Sequence, residues 1–168
     1  MARKKPNKRT MRRRLDNVVR DYIKLLYNNI CQTCFIHRDS TPLCSLDWSH
    51  YISRRYTIVR WMPENSLPMC RKCHQAYGDG FNSSMIESIS RIHGEGTTNK
   101  LEKMAMQYPT IKGTKLDSVD FRLELEKEFK GLIKDLESGT SNQGNRDSVI
   151  PEERWGIIIS EDKEIISD

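Results

Sequence analysis

The sequence predicts a small α+β protein: a cysteine-clamped centre with short strands, helices on either side, and charged ends. Three observations carry this prediction. Two Cys-x-x-Cys pairs, Cys31/Cys34 and Cys70/Cys73, stand 35 residues apart. Between them lie short runs rich in β-branched and aromatic residues, as strands require. Outside them, apolar residues recur with the period of helices.

The elements follow in order. Residues 1–14 carry eight Lys/Arg and no acid, so a disordered basic arm is expected there. Apolar residues at 15, 18, 19, 22, 23, 25 and 26 predict a helix over 15–30 that ends near Asn28-Asn29. Residues 35–44 read as loop, and strands are expected at about 45–52 and 57–61. Pro63, Pro68 and Gly78 punctuate the stretch around the second cysteine pair. Ser84 and Glu87 form a capping box for a helix that Gly94 stops. Asn99 opens a short helix that ends before Pro109. Phe121, Leu125, Phe129, Leu132, Ile133 and Leu136 line one side of a last helix over about 117–136, whose other side alternates acid and base. Residues 137–168 are Ser/Gly/Asn-rich and then acidic, with one apolar island at Trp155-Gly-Ile-Ile-Ile. They read as a tail with a docking segment or as a peripheral strand.

Composition narrows the function classes. The 168 residues are 36% apolar, or about 41% with the nine glycines, below the roughly 45–50% of ordinary globular chains. A small core with solvated ends is expected. No apolar run nears the roughly 18 residues that cross a bilayer, so a soluble, cytoplasmic protein without membrane contact is expected. The net charge of +5 is unevenly placed: +8 over residues 1–30, +2 over 31–136 and −5 over 137–168. A basic arm ahead of a near-neutral domain is the footprint of phosphate-backbone binding.

In a reducing compartment two Cys-x-x-Cys pairs point to zinc, because each tight turn aims two thiolates at one ion and two turns complete a tetrahedron. Cys31, Cys34, Cys70 and Cys73 are the expected ligands. Cys44 is left over, and His37 is a substitute only if one thiolate is displaced. Four thiolates leave no open position, so this zinc would be structural.

The segment between the pairs is more specific. It reads Leu46-Asp-Trp-Ser-His50-Tyr, then Arg60-Trp-Met-Pro-Glu-Asn65, then Cys70-Arg-Lys-Cys73-His74. The order His50, Asn65, His74 around a zinc knuckle resembles the HNH, or ββα-metal, endonucleases. That resemblance implies a zinc-bound ββα-metal core with flanking helices, and a second divalent cation such as Mg²⁺. It makes His50 the general base, Asn65 an orienting or metal-binding residue, and His74 the third motif position. Phosphodiester hydrolysis needs such a set: a base for water, a cation for the developing charge and a proton for the leaving oxygen.

Asp47-Trp-Ser-His50-Tyr, Arg60-Trp…Asn65, Cys70-x-x-Cys73 and Ile89-Ser-Arg-Ile92 further resemble the phage lambda NinG (Rap) recombination protein family, over residues 15–136. Membership implies a phage-encoded endonuclease, in the host cytoplasm, acting on branched DNA recombination intermediates. Two departures bear on the site. Many HNH enzymes carry Asp immediately before the first histidine, where this chain has Ser49; Asp47 and Asp79 are the nearby carboxylates for the catalytic cation. On a regular strand Asp47 and His50 point to opposite faces. His74 also stands where the NinG pattern tends to have Asn. Arg54, Arg55, Arg60, Arg71 and Lys72 are the expected phosphate grips, with Tyr51, Tyr56 or Trp61 beside them, while Trp48 and Trp61 fit a hairpin core. Symmetric junction cutting would imply a homodimer, for which the 117–136 helix offers an interface. A sequence-specific nicking or homing nuclease, or a zinc-stabilised DNA-binding module without cleavage, are the alternatives.

Overall fold

A computed structural model describes residues 5–36, 45–78, 83–107 and 115–139. Asp79, His37, Cys44 and the acidic tail beyond residue 139 lie outside the described residues. The architecture is α+β: α1 (Lys8–Leu26), β1 (Leu46–His50), β2 (Ser66–Cys70), α2 (Arg71–Gly78), α3 (Ser83–His93), α4 (Thr97–Gln107) and α5 (Val119–Glu137). The two strands form one antiparallel sheet with Leu46 opposite Cys70 and His50 opposite Ser66.

Helix α1 begins at Lys8, so the expected disorder of residues 1–14 is corrected for 8–14. The Asn7 side chain caps the helix by accepting from the Thr10 N–H at 2.8 Å. Met11 extends the apolar stripe backward, and with Leu15, Val19, Tyr22 and Ile23 it is buried. Three of the eight charges that suggested a tail are met by acids of α5 and the turn before it. Lys5 reaches Asp120, Lys8 reaches Asp117, and Arg14 reaches Glu126. The helix ends where Asn28 and Asn29 take positive φ values of 53° and 56°, a conformation that Asn tolerates.

The core lies between α1 and α5. Tyr22 packs on Phe129 with ring centroids 5.2 Å apart, beside Leu15, Leu125 and Phe121. The first half of the apolar stripe of α5, Phe121, Leu125 and Phe129, is thus buried, while Leu132, Ile133 and Leu136 are partly buried. The other side of α5 is not wholly a solvent face. Arg122 is fully buried, with its guanidinium donating to the carbonyls of Leu116 and Lys8 and to Asp117. It also lies over the Trp61 ring at 5.3 Å. Glu126 is buried too; burial alone would raise its pKa, but hydrogen bonds from Lys130 and Arg14 outweigh this and lower it.

The second strand is not 57–61 but Ser66–Cys70. Residues 57–61 form successive turns that bury Ile58, Val59 and Trp61. Their β-branched and aromatic character serves the core rather than a ladder. Pro68 is tolerated in β2 because a two-stranded sheet is all edge, and its carbonyl accepts from the Gln32 N–H at 2.9 Å.

Candidate functional site

The two cysteine pairs come together. Cys31 and Cys34 sit on a turn closed by Phe35 N–H to the Cys31 carbonyl at 3.0 Å, with Phe35 at φ 57°. Cys70 ends β2 and Cys73 lies in the first turn of α2. All four sulfurs fall within 4.8 Å of one another, and Cys34 and Cys70 are 4.0 Å apart. A tetrahedron with metal–sulfur bonds of about 2.3 Å has edges of about 3.8 Å, so the four can hold one metal ion, compatibly with structural zinc. Burial and the neighbouring sulfurs raise the Cys70 and Cys73 thiols, the mutual repulsion that a bound cation relieves. Helix α3 braces the first turn: Ser88 and Arg91 both donate to the Gln32 carbonyl.

This clamp fixes α2 against the sheet and so places His74, next to Cys73, over β1. His74 Nδ1 meets Asp47 Oδ2 at 2.9 Å. Both side chains are about 40% exposed (41% and 39%), so the pair is open to water and to ions. Ser49, two residues along on the same face of β1, is fully buried. A carboxylate at that position would be buried, at a cost in free energy.

His50 ends β1; a regular strand would send it to the face opposite Asp47, but Trp48, its stacking partner, lines one cleft with Asp47 and His74. His50 stacks with Trp48, ring centroids 4.2 Å apart. Its Nε2 lies 3.1 Å from the Arg60 carbonyl oxygen. A carbonyl only accepts, so Nε2 carries the ring proton and Nδ1 keeps its lone pair. Burial, aided by the charges of Arg54 and Arg60, brings the His50 pKa down to about 4. The imidazole is therefore neutral at pH 7.

Asn65 is the tie between these parts. It is fully buried in the turn that leads into β2. Its Oδ1 accepts from the Ile52 N–H, its Nδ2 donates to the carbonyls of Ile52 and Val59, and its own carbonyl accepts from Tyr51 N–H. Its amide is thus engaged by backbone of the loop that follows His50.

The basic residues divide. Arg54, Arg55, Arg71 and Lys72 are exposed; Arg55 lies over the Tyr56 ring at 4.9 Å. Arg60 does not offer its charge to a phosphate. Its guanidinium holds Asp16 through bonds of 2.8 and 2.6 Å, donates to the Arg54 carbonyl, and is 13% exposed. The expectation for Arg60 is revised accordingly: it anchors the His50 loop to α1. Tyr51 is likewise engaged, through its hydroxyl, by Glu102 of α4. Asp16, which also accepts from Trp61 Nε1 at 2.9 Å, was not legible as a site residue, since an acid among seven bases carries no motif. Beside the Asp47–His74 pair a cleft of about 340 Å³ is lined by Arg13, Arg20, Trp48 and Arg54 among others.

No helix among the described residues is long and apolar enough to cross a membrane. No protein-family model, curated protein or solved structure matches the chain.

Proposed function

We propose that this protein is a metal-dependent DNA endonuclease of the ββα-metal type, similar to the NinG family, acting on branched recombination intermediates. The observation that carries it is the meeting of Asp47 and His74, 27 residues apart in sequence, on a strand–strand–helix unit whose first strand ends in a neutral histidine. The four cysteines would hold zinc as a structural clamp. Asp47 and His74 would hold the catalytic cation: one carboxylate oxygen and one imidazole nitrogen, both partly exposed, suit a hard ion that keeps several waters. When bound, such an ion neutralises charge at the phosphate and at the leaving oxygen.

The chain's own residues do the rest. His50 takes the proton of the attacking water on Nδ1, with Nε2–H held by the Arg60 carbonyl. Asn65 and the Asp16–Arg60 pair hold the loop that orients that ring. Arg54 stands beside the cleft as a phosphate contact. Mg²⁺-dependent cutting of a four-way junction, compared with a matched linear duplex, tests this. Preferential junction cutting supports the proposal, and equal or sequence-bound cutting of the duplex favours a nicking enzyme. A zinc-stabilised DNA-binding module is the second reading, favoured by the low pKa of His50, which makes it a weak base at neutral pH; absence of cutting on either DNA would favour it.

A further inference from the structure

Three of the seven basic residues of α1 stand in one row along a groove, while Lys8 and Arg14 turn to Asp117 and Glu126. Arg13, Asn17, Arg20 and Lys24 stand at i, i+4, i+7 and i+11, within about 60° of arc on an α-helix and over about 16 Å of its length. The opposite side of α1, Met11, Leu15, Val19, Tyr22 and Ile23, is buried. The stripe faces β1 across two hollows of about 550 and 340 Å³, which share Arg20, Asp47 and Trp48 in their linings. Lys24 lines the larger hollow, and Arg13, Arg54 and His74 line the smaller. The groove therefore runs beside the helix and past the Asp47–His74 pair, since Asp47 lines both hollows and His74 the smaller.

Its charge suits a polyanion. Of the acids that line it, Asp16 is neutralised by the two hydrogen bonds from Arg60, and Asp47 is hydrogen-bonded to His74. Asp21 takes part of the Arg20 guanidinium, in an exposed pair that contributes little. Arg13, Arg20, Lys24 and Arg54 form an array with the length of a short run of phosphates. Trp48, half-buried between the two hollows, gives a flat apolar wall beside it, as grooves that follow one strand do.

We propose that α1 is the strand guide of this protein: consecutive phosphodiesters of one DNA strand lie along Arg13, Arg20 and Lys24, and the groove brings one of them past Asp47 and His74. The last step rests on the nuclease reading; the binding does not. The strand comes either from single-stranded DNA or from the backbone of a duplex, and the chemistry recognised is the same.

The test is binding of the full zinc-loaded chain, without Mg²⁺ so that nothing is cut, to a labelled single strand and to the matching duplex at several salt concentrations. The variant Arg13→Gln/Arg20→Gln/Lys24→Gln keeps helix-forming residues. It should flatten the log–log salt dependence by about 2–3, at roughly 0.7–0.9 per lost phosphate contact. The DNA on which the slope falls identifies the source of the strand. A control, Lys103→Gln/Lys127→Gln/Lys134→Gln, removes the same charge from exposed positions of α4 and α5 and should leave the slope within about one unit. An unchanged slope in the α1 variant, an equal fall in the control, or no binding by the unsubstituted protein would each overturn the proposal. Single Arg13→Gln, expected to lower the slope by just under one unit, decides the matter if the triple variant loses zinc. Because no step requires cleavage, a protein that binds along α1 and never cuts would sink the nuclease reading alone.

Discussion

Asn65 holds Ile52 by both of its backbone groups: Oδ1 accepts the Ile52 N–H at 2.8 Å and Nδ2 donates to the Ile52 carbonyl at 3.1 Å. A second donation from Nδ2 reaches the Val59 carbonyl at 2.9 Å. The side chain thus closes the loop that begins at His50. Asn65→Ala would leave these buried groups unmatched, and each costs about 1–3 kcal/mol. A total loss of about 2–4 kcal/mol is expected in denaturant unfolding of the zinc-loaded protein. A loss below about 0.5 kcal/mol, the size of an ordinary surface substitution, would show that the loop holds its shape without the amide.

Zinc should be part of folding, because the cysteine cluster joins the turn after α1 to the end of β2 and the start of α2. Cys70→Ser is expected to lose metal and most cooperative unfolding, since structural zinc binding is folding free energy. Zinc content by elemental analysis and a melting curve check this. Full zinc with unchanged melting would contradict it.

Asp16 should act on His50 through Arg60. Asp16→Ala leaves the Arg60 guanidinium, 13% exposed, and the Trp61 indole N–H without their acceptor. Breaking a largely buried pair in this way costs about 3 kcal/mol. With the Arg60 carbonyl no longer fixed against Nε2, single-turnover cleavage should fall while DNA affinity holds. A variant that melts normally and cuts normally would leave Asp16 without a role.

The pH dependence of stability carries the mark of His50. Its folded pKa, about 4, lies below its ordinary value of 6.5, so between those values the unfolded chain binds the extra proton. Stability is therefore full above pH 6.5 and falls as pH drops toward 4. Between pH 7 and 5 this term amounts to about 2 kcal/mol. Other groups titrate over the same range in both proteins, so the difference between wild type and His50→Gln isolates it. Identical pH profiles for the two would mean that the imidazole is not buried as described.

Much of this was legible in the sequence, and the misses have physical causes. The cysteine spacing and the stripe of α5 state their geometry directly, and Asn65 stands out by its place in the motif, as a residue that orients the site or binds metal. Strand β2 was hidden because Pro68 reads as a break, although an edge strand accepts it. Residues 57–61 looked like a strand because burial in turns selects the same side chains. The start of α1 was hidden by its charge. The five bases in 8–14 read as a solvated arm until Glu126 and Asp117 of distant sequence are brought beside them. Arg60 looked like a phosphate grip for the same reason, since nothing local reveals Asp16 as its partner. Long-range ion pairs leave no periodic trace.

The central claim is that His50 is the general base of phosphodiester cleavage, oriented by the Arg60 carbonyl at 3.1 Å from Nε2. Single-turnover cleavage of a four-way junction at saturating enzyme and Mg²⁺ tests it most directly, free of binding and product release. His50→Ala should keep zinc, fold and DNA affinity, and cleave about 10²–10⁴-fold more slowly, the range for a positioned acid–base group. With its pKa near 4, the wild-type rate should already be on its plateau through neutral pH as far as this base is concerned. A His50→Ala protein that folds, binds and cuts within a few-fold of wild type would contradict the claim and place the base elsewhere.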